Sequence, residues 1–213
     1  MNKNRVLLAD DHRIVLEGLR GLLEPEFEIV GAVEDGRTLV AEAKRLRPDL
    51  VVVDISMPEL NGIDAARQIK KFDASIRVVF LTMHADAGYA ASAFEAGASG
   101  FVLKHSAPQE LITALRDAML GRTYVTPIIA GDLIASFRQG GGDPEELRVV
   151  LSSRQREILQ FHAEGKSAKE IASKLNISTR TVEFHKSRMK EQLNIKTSAE
   201  LVQYAVKCGL TYK

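Results

Sequence analysis

Val6-Leu7-Leu8-Ala9-Asp10-Asp11 is four apolar residues followed by two carboxylates. The form returns three times. Leu50-Val51-Val52-Val53 runs into Asp54, Val78-Val79-Phe80-Leu81 into Thr82, and Gly100-Phe101-Val102-Leu103 into Lys104. Short unbroken apolar runs are the pattern of parallel strands covered on both faces. In an open α/β sheet, ligands bind beyond the carboxyl ends of the strands. As neighbours in one sheet, these runs bring three carboxylates, a hydroxyl and an ammonium to one place. Such a set suits a divalent cation held beside a phosphoryl group.

Between the runs lie helical patterns. Val15, Leu19, Leu22 and Leu23 share one face after the first run, and a further strand is expected at about 28–33. Helices are expected at about 38–47, 63–72, 88–96 and 108–120, with Pro48 and Gly97 as stops and Ser106 with Gln109 at capping-box spacing. Five βα units with short connections predict a doubly wound, five-stranded parallel sheet over residues 1–121, with right-handed crossovers. Residues 122–149 read as a linker, with a helix allowed at 127–138. Its least structured part is Gly140-Gly141-Gly142-Asp143-Pro144. Residues 150–213 carry no strand pattern and read as a small all-α domain of four helices, at about 154–163, 168–175, 179–193 and 199–207. Ser167 with Glu170 forms a capping box, and Ser178 is an N-cap after the tight turn Asn176-Ile177-Ser178. Helix, short turn, helix at this spacing is the helix-turn-helix pattern.

Charge divides the same way. Of 29 basic and 28 acidic residues, 12 and 6 fall in 151–213, leaving 17 and 22 in the rest. A basic module attached to an acidic one points to a polyanion as partner of the C-terminal part alone. The lone Cys208 excludes an internal disulfide and a cysteine-based zinc site. No apolar run approaches the roughly 18 residues that cross a bilayer. Met1-Asn2-Lys3-Asn4 shows no signal-peptide pattern. A cytoplasmic protein without a membrane partner is expected.

The acidic set has a definite chemistry. Mg2+ takes carboxylate, carbonyl and water oxygens, and Asp10, Asp11 and Asp54 supply the carboxylates. An ionised Asp54 is a nucleophile of the kind that forms an aspartyl-phosphate. Such transfer depends on positioning and charge neutralisation, which Lys104 and Thr82 supply through the phosphoryl oxygens. A single Asp at a strand end is commonly a helix cap; the argument rests on all five residues recurring in order.

The stretches Leu7-Leu8-Ala9-Asp10-Asp11-His12, Asp54-Ile55-Ser56-Met57-Pro58 with Asn61-Gly62, Leu81-Thr82-Met83-His84, and Lys104 together resemble the receiver domain of two-component response regulators. The resemblance implies a flavodoxin-like fold and phosphorylation of Asp54 by a sensor histidine kinase. It implies Mg2+ held by Asp11, Asp54 and the backbone carbonyl of Ser56, with Asp10 acting through water. Phe101 matches the switch aromatic that turns inward when Thr82 moves toward the phosphoryl group. The chain departs from the pattern twice. His105 stands where many receivers carry a cis proline, and bulky Met83 stands where a small residue is common and is expected to narrow access to Asp54. Ser56 and His84 occupy positions that tune dephosphorylation in the family.

In the C-terminal part, Val182, Met189 and Leu193 form an inward stripe of the third helix. Thr179, Arg180, Thr181, Glu183, Phe184, Lys186, Ser187, Arg188 and Lys190 remain as candidates to meet double-stranded DNA. The N-terminal half of a recognition helix reads base edges and its basic flanks meet phosphates. Glu183 suits a cytosine amino group and Phe184 a thymine methyl. His185, with no second ligand at metal spacing, is expected to pack or to contact phosphate. Leu151-Ser152-Ser153-Arg154-Gln155-Arg156-Glu157-Ile158-Leu159, Gly165-Lys166-Ser167, Lys169-Glu170-Ile171-Ala172, Leu175-Asn176-Ile177-Ser178 and Thr181-Val182-Glu183 with His185 resemble the LuxR-type DNA-binding domain.

The whole chain is thus similar to response regulator transcription factors of the NarL/FixJ type. That likeness implies a homodimer when phosphorylated, partly through the last helix, with RNA polymerase as a further partner. It implies no enzyme beyond slow self-dephosphorylation. A phosphatase with an Asp nucleophile is the competing reading. The haloacid-dehalogenase type wants a second Asp two residues on, where this chain has Ser56.

Overall fold

The computed structural model describes residues 3–106, 108–138 and 151–211. The chain forms two compact units, Met1–Gly142 and Asp143–Lys213. The first alternates β1 (Arg5–Ala9), α1 (Arg13–Leu23), β2 (Glu28–Val33), α2 (Gly36–Leu46), β3 (Leu50–Val53), α3 (Gly62–Phe72), β4 (Arg77–Thr82), α4 (Ala87–Glu95), β5 (Gly100–Leu103), α5 (Pro108–Met119), β6 (Tyr124–Val125) and α6 (Pro127–Arg138). All strands are parallel, in the order β2-β1-β3-β4-β5-β6.

Alternate residues of each strand feed two cores. Leu7, Ala9, Val51, Val53, Val78, Phe80, Phe101 and Leu103 face α2, α3, α4 and α6. Val6, Leu8, Leu50, Val52, Val79, Leu81 and Val102 face α1 and α5. Burial on both faces is why the four runs carry no polar alternation.

The sheet has six strands, not the five expected. Tyr124 and Val125 pair with Gly100 and Phe101 as a short edge strand. The stretch 122–138, read as linker, therefore carries β6 and α6. Ile129 and Leu133 of α6 are buried in the core that holds Phe101. Pro127 begins α6, where its fixed φ is already helical and its missing N–H costs nothing. The glycine-rich stretch 140–144 lies outside the described residues.

The second unit consists of α7 (Ser153–Ala163), α8 (Ala168–Leu175), α9 (Thr179–Gln192) and α10 (Ser198–Lys207). Its core centres on Leu151, Ile158, Leu159, Phe161, Ile171, Val182, Met189, Leu201 and Ala205. Three helices open with full capping boxes: Ser152 with Gln155, Ser167 with Glu170, and Thr197 with Glu200. Each box satisfies two backbone donors that a helix start leaves open. Between α8 and α9 the chain turns at Asn176, whose left-handed backbone (φ 51°) asparagine tolerates better than most residues. Arg154 of α7 braces the turn by donating to the Leu175 carbonyl at 2.7 Å. Among the described residues no helix is long and apolar enough to cross a membrane.

Candidate functional site

Backbone pairing carries the sheet past its strand ends and into the acidic pocket. The Asp54 N–H donates to the Ala9 carbonyl, Asp10 to Val33 and Lys104 to Thr82. These three bonds fix where the functional side chains start. The loop after β3 is equally constrained. Asn61 caps α3 by accepting from the Asp64 N–H, and the Gly62 N–H donates to the Ile55 carbonyl at 2.7 Å. A Cβ on Gly62 would lie 2.0 Å from the Asp54 carbonyl oxygen, so only glycine allows this approach.

Asp10, Asp54 and Thr82 are buried to within a few per cent. Lys104 Nζ lies 2.6 Å from Asp10 Oδ2 and 2.8 Å from Asp54 Oδ2, so one ammonium bridges two buried carboxylates. The second Asp54 oxygen accepts from the Ile55 N–H. Burial raises the Asp54 carboxyl above its ordinary value; Lys104 opposes that rise and Asp10 adds to it. For Lys104, burial favours the neutral amine, but hydrogen bonds to Asp10 and Asp54 outweigh it and raise the group.

Asp11 stands apart from the bridge. Its Oδ1 is buried without a hydrogen bond, with His12 Nδ1 2.8 Å away; the same nitrogen meets Asp10 Oδ1 at 3.3 Å. Asp10, Asp11 and His12 bring ligand atoms within 4.8 Å of one another, and Asp54 is not in that group. The Thr82 hydroxyl accepts from the His84 N–H at 3.2 Å. The Ser56 hydroxyl meets His84 Nε2 at 2.8 Å, and the His84 ring stacks on Tyr89 with centroids 4.4 Å apart. Sequence reasoning missed both the Ser56–His84 bond and the place of His12. Met83 is 62% exposed, and Phe101 is fully buried. The described residues include no cis peptide bond, which settles the Lys104–His105 linkage as trans.

The second unit presents a different surface. On α9, Val182 and Met189 are buried and Leu193 packs beside them, as the stripe predicts. Thr179, Arg180, Glu183, Phe184, Ser187 and Arg188 are exposed, whereas Thr181, Lys186 and Lys190 are half-buried. Ser178 caps the helix by accepting from the Thr181 N–H at 3.1 Å. Phe184 is 57% exposed, an unusual position for a phenylalanine, and its ring meets His185 edge-on. Glu183 and Lys186 pair at 3.3 Å. Burial, then Arg154 and Arg188, lowers His185, so its ring is favoured neutral.

An acidic pocket at the head of a doubly wound parallel sheet, on one chain with a capped helix-turn-helix that bares cations and a phenylalanine, defines a receiver joined to a DNA-binding module. Residues 6–116 match the response regulator receiver domain, and residues 149–205 match the luxR family of bacterial regulatory proteins. The chain belongs to the two-component response regulators with a LuxR-type DNA-binding domain, a family of transcription regulators. It is 35% identical to the transcriptional regulatory protein MctR of Rhizobium johnstonii over 99% of this chain and 97% of that one. It is 33% identical to the response regulator UvrY of Escherichia coli over 96% and 94%. Among solved structures it resembles RcsB of Salmonella enterica serovar Typhimurium, determined on promoter DNA with the phosphomimetic BeF3−. That match has a TM-score of 0.65 at 30% identity and covers 97% of this chain and 100% of that one.

Proposed function

We propose that Asp54 accepts a phosphoryl group from a sensor histidine kinase and that this event controls dimerisation and DNA binding by the second unit. The observation that carries the reading is the Lys104 ammonium between Asp10 and Asp54. A buried carboxylate at a strand end, with a cation already beside it, is a nucleophile whose product charge is compensated in advance. Lys104 exchanges a carboxylate oxygen for a phosphoryl oxygen, and Thr82 turns its hydroxyl from the His84 N–H to another.

The donor set suits Mg2+. It is all oxygen apart from His12, and the buried Asp11 Oδ1 has no hydrogen bond. Asp11, Asp54 and the Ser56 carbonyl would hold the ion, with Asp10 acting through water. When bound, Mg2+ supplies positive charge that stabilises the phosphoryl oxygens. The reading leaves Asp54 as acceptor rather than as the centre of a turnover enzyme. A cytoplasmic setting follows from a kinase and a chromosome as partners, and RNA polymerase is the natural target of the DNA-bound form.

On DNA, the exposed first half of α9 reads bases, Glu183 a cytosine amino group and Phe184 a thymine methyl. Arg180, Lys186, Arg188 and Lys190 meet phosphates, with Thr179, Thr181 and Ser187 beside them. Two copies then engage half-sites about one helical turn apart. The test is site selection and binding with and without phosphorylation. Acetyl phosphate with Mg2+ should label the wild type and not Asp54→Asn, and labelling should tighten DNA binding. Glu183→Gln should relax one base position by about 1–3 kcal/mol. Equal labelling of Asp54→Asn would overturn the assignment of the acceptor.

A further inference from the structure

The short strand β6 is fastened to the strand that carries Phe101 and leads into Lys104. The Thr126 N–H donates to the Phe101 carbonyl at 3.0 Å, and the Thr126 hydroxyl accepts from the Leu103 N–H at 3.2 Å. That hydroxyl in turn donates to Glu110 Oε2 at 3.3 Å, and the Tyr124 hydroxyl donates to the same oxygen at 3.1 Å. Glu110 sits in the first turn of α5, so one carboxylate ties β6 to α5 while β6 holds β5. Thr126 is buried, with 4% exposure, and also opens α6, because the Ile129 N–H donates to its carbonyl. Ile129 and Leu133 of α6 share a core with Phe101, and with Ala90 and Ala93 of α4.

Without β6, the Phe101 carbonyl and Leu103 N–H would belong to an open sheet edge. With it, Phe101 lies under an edge strand, and a change in the ring's position must disturb the core that α6 completes. Close-packed cores respond to such changes in discrete steps. The residue whose N–H Thr126 holds directly precedes Lys104, the cation of the acidic pocket.

We propose that β6 and α6 form a latch on the switch strand, so that loading of Asp54 and docking of α6 against α4 favour one another. This rests on the phosphoacceptor reading and adds its output: the helix that leads into residues 139–150 reports the state of the pocket. A phosphoryl group holds Lys104 more firmly than a singly charged carboxylate does. A firmer Lys104 fixes the Leu103 N–H on Thr126, and Thr126 fixes the start of α6. The two events are then linked in free energy, and each ligand-like state stabilises the other.

The test is amide hydrogen exchange on the full chain with Mg2+, with and without BeF3−, alongside the 19F signal of the bound fluoride. Loading should slow exchange in α6 by about fivefold or more, the lower end of typical allosteric couplings. Thr126→Val should still show the bound fluoride signal at saturating BeF3− and lose most of that slowing. Tyr124→Phe, which removes one hydrogen bond from a half-buried residue, should lose part of it. A bound fluoride signal with unchanged or faster α6 exchange overturns the latch alone. No bound fluoride overturns the phosphoacceptor reading, and the latch with it. Full slowing in Thr126→Val and Tyr124→Phe alike overturns the role given to these anchors.

Discussion

Carboxylates do opposite work in the two units. In the first, Asp10 and Asp54 are buried and share a single ammonium, and burial holds the Asp54 proton affinity up. In the second, Glu170 and Glu200 lie at helix starts, and their hydrogen bonds, to Ser167 and to the Lys196 and Thr197 N–H groups respectively, hold their proton affinities down. The first arrangement costs stability and keeps a reactive group; the second adds stability and has no chemistry to perform. The same contrast separates the two functional surfaces. The pocket is buried and its partners are fixed across several strands, whereas α9 holds Arg180, Glu183, Phe184, Ser187 and Arg188 in solvent on a helix packed from behind by Val182 and Met189.

The largest expected effect breaks the pocket's charge balance. Lys104→Met leaves two buried carboxylates facing each other without a cation, and removing one partner of a buried pair costs about 3–5 kcal/mol. Urea denaturation in metal-free buffer should show a loss of that order, and added Mg2+ should recover part of it. Asp54→Asn removes one of the repelling charges and should cost clearly less. A Lys104→Met variant as stable as wild type would mean that the bridge contributes little. A smaller effect is expected from Ser178→Ala, which removes the cap of α9 at a cost of about 1 kcal/mol. Because the frayed turn carries Thr179, Arg180 and Thr181, DNA affinity should fall with stability, while Asp54 labelling stays unchanged.

The parts of this molecule that were legible in advance are those whose signal is local. The four strand runs show as unbroken apolar stretches because both faces of the sheet are covered, and Asp10, Asp54 and Lys104 meet because parallel strands end on one side. Helix α9 is legible for a similar reason: Val182 and Met189 lie seven residues apart on its buried stripe. Strand β6 is different. Tyr124-Val125 is too short to show a period, and only the open edge of β5 makes it a strand. α6 has modest amphipathicity, with Ile128 and Ile134 exposed although Ile129 and Leu133 are buried. The bridge from Lys104 to Asp10 and the pairing of Ser56 with His84 depend on side-chain reach across strands, which spacing along the chain does not encode. The capping boxes at Ser152 and Thr197 did have a sequence signal, Gln155 and Glu200 three residues on.

Acid separates the units by the sign of its effect. Glu170 and Glu200 have folded-state proton affinities below the ordinary glutamate value of 4.5. Their contribution is therefore complete above that value and is lost as pH falls through it and below, because the unfolded chain takes up protons first. Asp54 is shifted the other way from 3.8. The folded receiver takes up its proton before the unfolded chain does, so the penalty for burying its charge is relieved as pH falls toward that value. Unfolding followed separately by probes in each unit should show the Asp54 contribution moving in the receiver's favour as pH falls toward about 4, and the helical unit weakening only once pH passes below about 4.5. Glu170→Gln and Glu200→Gln should flatten the acid limb of the helical unit without altering that of the receiver, and Asp54→Asn should do the reverse. Equal acid dependence in wild type and all three variants would show that these groups do not govern the response, and the contrast between the units would then lie in packing alone.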